Sequence, residues 1–185
     1  IDIAVSPQGT LFMVSKDSLY NSSDNGYSWI NLNIMVQLPS PYTIAYPTNV
    51  TVSPLGIVFC GIKKASKQGN IIVPAFSTDN GFTWSSPGDS IYGGHLFDFR
   101  GQCIITYGER FSTMGGHSYM YLSSDNGQTW LHLGSPPNFD NNVLSMCLNG
   151  NILIGGLGLY LSIDTCSSWI QVSWLNPKAG LSIES

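Results

Sequence analysis

The segment Ser22-Ser23-Asp24-Asn25-Gly26-Tyr27-Ser28-Trp29 returns three times along this chain. It reappears as Ser77-Thr78-Asp79-Asn80-Gly81-Phe82-Thr83-Trp84, as Ser123-Ser124-Asp125-Asn126-Gly127-Gln128-Thr129-Trp130, and as Ser162-Ile163-Asp164-Thr165-Cys166-Ser167-Ser168-Trp169. Three copies satisfy S-x-D-x-G-x-x-W. The fourth carries Cys166 where the others have Gly, but keeps Ser162, Asp164 and Trp169. Successive aspartates lie 55, 46 and 39 positions apart, the length of a four-stranded blade with loops of unequal size.

These residue types together make a rigid hairpin turn. The carboxylate can accept hydrogen bonds from main-chain amides just downstream, and the Gly supplies a positive φ at little steric cost. The Trp that begins the next strand can lay its indole over the turn, burying apolar surface worth roughly 2 to 3 kcal/mol. A non-Gly residue in a left-handed conformation costs about 1 to 2 kcal/mol, so Cys166 is expected to force a different turn geometry in the fourth copy.

Around each segment the sequence supplies four short apolar or alternating runs. Small turns such as Pro7-Gln8-Gly9, Pro54-Leu55-Gly56, Arg100-Gly101-Gln102 and Asn149-Gly150-Asn151 separate the first run from the second in every repeat. The expected fold is therefore all-β: a β-propeller of four-stranded antiparallel blades, four in this chain, as a closed small propeller or part of a larger one. The blades are placed at about 1–33, 48–85, 94–133 and 143–174.

The segments closely resemble the Asp-box, or bacterial neuraminidase repeat, of sialidases and other propellers. The resemblance spans nearly the whole chain and assigns a structural role to Ser22, Asp24, Gly26 and Trp29, to Ser77, Asp79, Gly81 and Trp84, to Ser123, Asp125, Gly127 and Trp130, and to Ser162, Asp164 and Trp169. It implies that each box joins the third and fourth strands of a blade, on the face opposite the ligand site. The opposite face would then collect the long, unlike segments Lys63 to Asn70, Gly108 to His117, Asn33 to Thr48 and Gly134 to Asn142. Variable loops on a regular scaffold are where binding sits. The candidate binding residues there are Tyr46, Lys63, Lys64, Glu109, Arg110 and His117, with Lys67 and the aromatics Tyr42, Tyr92, Phe111 and Phe139 nearby.

The resemblance also implies what a sialidase would need: three Arg around a carboxylate substrate, a Tyr nucleophile with a Glu partner, and an Asp acid/base. This chain has only Arg100 and Arg110, so none of those roles carries over and no catalytic residue is assigned. Asp98 and Glu109 could face each other as the two carboxylates of another glycosidase, or Asp98 could simply pair with Arg100. His95, His117 and His132 share no metal-ligand spacing, so neither a metal nor a cofactor is expected. Gly155-Gly156-Leu157-Gly158 reads as a blade turn rather than a phosphate loop.

Composition narrows the classes further. Seven Lys plus Arg and a net charge of -4 argue against nucleic acid as a partner. No apolar run is long enough to cross a bilayer, so membrane insertion is not expected. The first residues lack a signal-peptide pattern, and the missing initiator Met suggests a processed or excised segment. Cys60, Cys103, Cys147 and Cys166 lack close pairing and read as buried free thiols, while the sequons at Asn21 and Asn49 decide nothing. The expected role is a non-catalytic binding or scaffold module at a cell or virion surface, secreted or extracellular, whose partner is a glycan or a protein. The alternatives are part of a sialidase-like glycoside hydrolase whose catalytic residues lie elsewhere, and an architectural propeller. The tail from Ala179 resembles the start of another first strand, so neighbouring blades or a homo-oligomer are expected to cover the blade edges.

Overall fold

The computed structural model describes residues 1–34, 44–67, 69–87, 91, 94, 96–100, 103–112, 115–135, 143–146, 150–155 and 158–173. They form fifteen strands. The first blade holds β1 (Asp2–Val5), β2 (Leu11–Ser15), β3 (Ser18–Ser22) and β4 (Ile30–Asn31) in sequential antiparallel order. The second holds β5 (Ile44–Val52), β6 (Val58–Ser66) and β7 (Gly69–Ser77), with its fourth strand reduced to the bridge Phe76↔Ser85. The third holds β8 (Leu96–Arg100), β9 (Cys103–Ser112), β10 (Gly115–Ser123) and β11 (Leu131–Gly134); the fourth holds β12 (Val143–Met146), β13 (Ile152–Gly155), β14 (Leu159–Ser162) and β15 (Ile170–Ser173). This is the all-β propeller architecture read from the repeat.

The four turns between third and fourth strands are nearly superimposable in their bonding. Each Ser accepts the amide of the residue four positions on: Gly26, Gly81, Gly127 and Cys166 reach Ser22, Ser77, Ser123 and Ser162 Oγ at 2.9, 2.8, 2.8 and 2.8 Å. That Ser hydroxyl donates to the Asp carboxylate two residues later, at 2.7, 2.7, 2.8 and 2.9 Å. The carboxylate then accepts both the amide and the hydroxyl of Ser28, Thr83, Thr129 or Ser168, the amides at 2.9, 2.8, 2.8 and 2.8 Å and the hydroxyls at 2.6, 2.5, 2.5 and 2.5 Å. The indoles of Trp29, Trp84 and Trp130 close the turn by donating to the Gly26, Gly81 and Gly127 carbonyls at 3.1, 2.8 and 2.9 Å.

The fourth turn corrects one expectation. Cys166 adopts the left-handed conformation directly, at φ 67° against 88° in the three glycines, and the Ser162 and Asp164 bonds survive. Burial of its side chain against Ile105, Tyr107 and Met120 offsets the backbone cost. The 20° rotation has a local consequence: Trp169 Nε1 is buried without a hydrogen-bond partner, whereas the other three indoles have one.

Charge-assisted hydrogen bonds favour the ionised carboxylate. The hydroxyls of Ser28, Thr83 and Thr129, then their amides, hold Asp24, Asp79 and Asp125 down at about 2, and Ser168 lowers Asp164 in the same way. A depressed folded-state pKa contributes stability that is complete above the unfolded value of 3.8 and is lost as pH falls toward 2. The thermal midpoint should therefore stay level from pH 7 to about 5 and drop between about 4 and 2, with a shallower drop in Asp79→Asn. A midpoint unchanged at pH 2 would contradict this.

Blades pack through alternating apolar rows. Phe12, Val14, Leu19 and Leu32 of the first meet Val50 and Val58 of the second, and Ile105, Tyr107 and Met120 of the third meet Ile152 and Ile154 of the fourth. Phe59 links the second and third, its ring 5.9 Å from Phe76 and 5.6 Å from Phe97. Among the described strands no such packing joins the fourth blade back to the first, so the four blades form an open arc. Cys60 and Cys166 are buried free thiols, and burial raises the pKa of both.

Candidate functional site

The face opposite the repeat turns differs from the expected set of loops. The segments Lys63 to Asn70 and Gly108 to His117 are mostly strand: β6 runs to Ser66 and β7 starts at Gly69, while β9 runs to Ser112 and β10 starts at Gly115. These hairpins have nine- and ten-residue strands where the second and third strands of the first blade have five. Their extra length projects past the blade body and pairs across it, Gly69↔Ser112, Asn70↔Phe111 and Ile71↔Arg110. Two blades thereby share one sheet, β11-β10-β9-β7-β6-β5, with β8 on β9.

The register places the predicted site residues on this joined sheet. One rung runs Ala45, Lys64, Ile71, Arg110, His117; the next runs Tyr46, Lys63, Ile72. Adjacent rungs project to opposite sides, so Tyr46 and Lys63 are separated from Lys64. Lys63 Nζ sits 5.8 Å from the centre of the Tyr46 ring, a cation-π contact between directly opposed residues. Lys64, by contrast, is buried, which removes its ammonium from a surface role. His117 and Lys67 are exposed.

Glu109 lies across from Ser118 in the backbone register; the side chains of Glu109, Arg110 and Phe111 lie outside the described residues, as do Tyr42, Tyr92, His95 and Phe139. The expected Asp98–Glu109 acid pair is not supported by the register. Asp98 is opposite Ile105, four positions from Glu109 along β9, or about 13 Å. That is wider than the spacing of a carboxylate pair working across one glycosidic bond.

Sequence reasoning missed an aromatic ladder beside this sheet. His117 and Tyr119 rings are 6.4 Å apart, Tyr119 and His132 6.0 Å, and His132 and Tyr121 5.1 Å. The i, i+2 spacing of 117, 119 and 121 was the available signal, since a strand places such residues on one side. The Ser or Thr one residue before each repeat Trp was also missed, although it appears in all four copies.

A cavity of about 480 Å³ opens beside the first strands, with Asp2, Asn49 and Phe97 in its wall. Asp2 is the one carboxylate among its lining residues, and its Oδ2 already accepts the Val50 amide at 2.9 Å. Asn49 Oδ1 accepts the Gly61 amide and its Nδ2 donates to the Gly94 carbonyl, both at 2.7 Å. These bonds tie the second blade to the start of the third. Asn21 is likewise buried and donates to the Asn80 carbonyl at 3.3 Å, so the second turn is clamped to the first blade. Among the described residues no His, Cys, Asp or Glu group is arranged to hold a metal, and no helix is long and apolar enough to cross a membrane.

Solved structures share this architecture. The Hadza microbial sialidase Hz136 matches 91% of this chain and 43% of its own at 16% identity, with a TM-score of 0.61. The chain folds as a sialidase-like β-propeller. An α-L-arabinanase of Penicillium chrysogenum matches 92% of the propeller chain and 65% of its own at 15% identity, TM-score 0.54. XC5397 of Xanthomonas campestris, described as a gluconolactonase, matches 91% and 60% at 12% identity, TM-score 0.57. The propeller chain thus spans less than two thirds of the length of these structures. No protein-family model and no curated protein sequence matches it.

Proposed function

We propose that this propeller is a non-catalytic module that binds carbohydrate on the sheet shared by its second and third blades, in an extracellular or virion-surface setting. The observation that carries the reading is the Lys63–Tyr46 pair on a rigid rung of that sheet. A tyrosine face stacks on a sugar ring, and an adjacent ammonium donates to hydroxyls, the combination a shallow glycan site requires. The His117–Tyr119–His132 ladder adds rings and imidazole nitrogens on the neighbouring strands.

A glycan array followed by titration of the best hit tests it. Tyr46→Ala is expected to weaken binding about tenfold or more, equivalent to about 1.4 kcal/mol, with the circular dichroism spectrum unchanged. Absence of any glycan hit, or full affinity in Tyr46→Ala, would sink the proposal; capture of a protein that Tyr46→Ala releases would make the ligand a protein.

A second reading is favoured by the printed names of the similar structures, a sialidase and an arabinanase. In it the chain is part of a glycoside hydrolase. Turnover of aryl sialosides or arabinofuranosides by the chain, abolished in Asp98→Asn or Glu109→Gln, would replace the binding reading.

A further inference from the structure

Counted from the repeat serines, every blade has the same coordinates. Leu11, Val58, Ile104 and Ile152 each pair with the repeat Ser of their own blade. Val5, Val52, Phe99 and Met146 are opposite those four residues, and Ile3, Val50, Phe97 and Leu144 come two residues earlier. These rows form the side that a blade turns toward its predecessor. In the second and fourth blades they are deeply buried: Val50 is 4% exposed, Val58 and Cys60 0%, Ile152 2% and Ile154 0%. In the first blade the same positions are open, with Ile3 59% and Val5 58% exposed and Leu11 and Met13 only half-buried.

The other end of the arc repeats the pattern on the opposite side. Phe12, Phe59 and Ile105 are 0% exposed, each covered by the following blade, but their counterpart Leu153 in the fourth blade is half-buried. The turns give an independent reading. Gly81 lies against Leu32 of the blade before it, and Gly127 against Phe59 and Phe76. Cys166 packs into the third blade. Gly26 meets only Leu11 and Trp29 of its own blade. Three turns rest on a preceding blade; the first has the same chemistry and nothing beneath it.

We infer that the outer face of the first blade and that of the fourth are docking surfaces for two further four-stranded blades of this same repeat, which complete the ring. Continuity with the existing interfaces identifies the occupant. Each open row is the register counterpart of a row that another blade of this chain already covers, so the matching surface is a blade, with its repeat turn seated on Leu153 at one end and its apolar row on Ile3 and Val5 at the other. The number follows from length. Four blades fill 65% of the Penicillium arabinanase chain, which corresponds to about six blade-sized units and leaves two. This inference is independent of the carbohydrate reading.

The test appends residues 1–86, the first two blades, after Ser185 of the full chain through a Gly-Ser linker. The fused chain should be a monomer with a Tm higher by roughly 5 °C or more. Val5→Glu in the first copy should leave the Tm of the unfused chain within about 2 °C and remove the gain in the fused one. An unfused chain that is a stable dimer dissociated by Val5→Glu would assign the face to a second copy and overturn the inference, as would a fused Tm equal to that of the unfused chain. If the fused chain does not fold, the unfused chain decides: its fluorescence with anilinonaphthalene sulfonate should fall by more than half in Val5→Glu with Leu153→Glu, and unaltered fluorescence overturns the proposal.

Discussion

Gly61→Ala should be the most damaging single-methyl change in this protein, lowering unfolding free energy by about 3 to 5 kcal/mol. Gly61 lies in β6 with a φ that any residue can adopt, so backbone freedom is not the reason. A Cβ there would stand 2.1 Å from the Gly94 carbonyl oxygen and 2.6 Å from Asn49 Oδ1. Neither atom can retreat cheaply. Asn49 is bonded to both Gly61 and Gly94, and the Gly94 amide donates to the buried Thr106 hydroxyl at 2.7 Å. Admitting the methyl means withdrawing the link between the second and third blades and breaking this chain of bonds. Urea unfolding against Gly9→Ala separates the mechanism from ordinary glycine replacement. Gly9 has φ 88° and nothing within 4 Å of an added Cβ, so its change should cost about 1 kcal/mol. Equal losses in the two variants would refute the steric explanation.

Ser77→Ala should come next, at about 1 to 3 kcal/mol. Ser77 is 1% exposed, and its hydroxyl accepts the Gly81 amide while donating to Asp79. Without it, the Gly81 amide is left unsatisfied where the turn is covered by Leu32 of the first blade. Water cannot replace the lost acceptor there. Ser22→Ala makes the same deletion in the first turn, which no blade covers, and should cost distinctly less. The midpoints should differ by roughly 2 to 4 °C for each kcal/mol separating the variants.

The repeat made the fold legible. The Ser, Asp and Trp of each segment act through bonds within eight residues, so local sequence carries the whole turn. Cys166 misled because the cost of its φ was visible in the sequence while its burial in the interface with the third blade was not. The joined sheet was illegible for a related reason. Lys63-Lys64-Ala65-Ser66-Lys67-Gln68-Gly69-Asn70 is polar enough to pass for a loop, and its strand character depends on pairing between Ile71 and Arg110, residues 39 positions apart in separate blades. The candidate residues were correctly assigned to one face, but which of them share a rung is a property of register: Tyr46 joins Lys63, while Lys64 turns inward and is buried.

Titration of the four repeat carboxylates by carbon-detected nuclear magnetic resonance probes the turns most directly. Engaged by a hydroxyl and a main-chain amide, Asp24, Asp79 and Asp125 should show midpoints of about 2, with Asp164 lowered in the same direction. Midpoints near the ordinary 3.8 would mean that the carboxylates are free in solution and that something other than these turns holds the blades' hairpins in place.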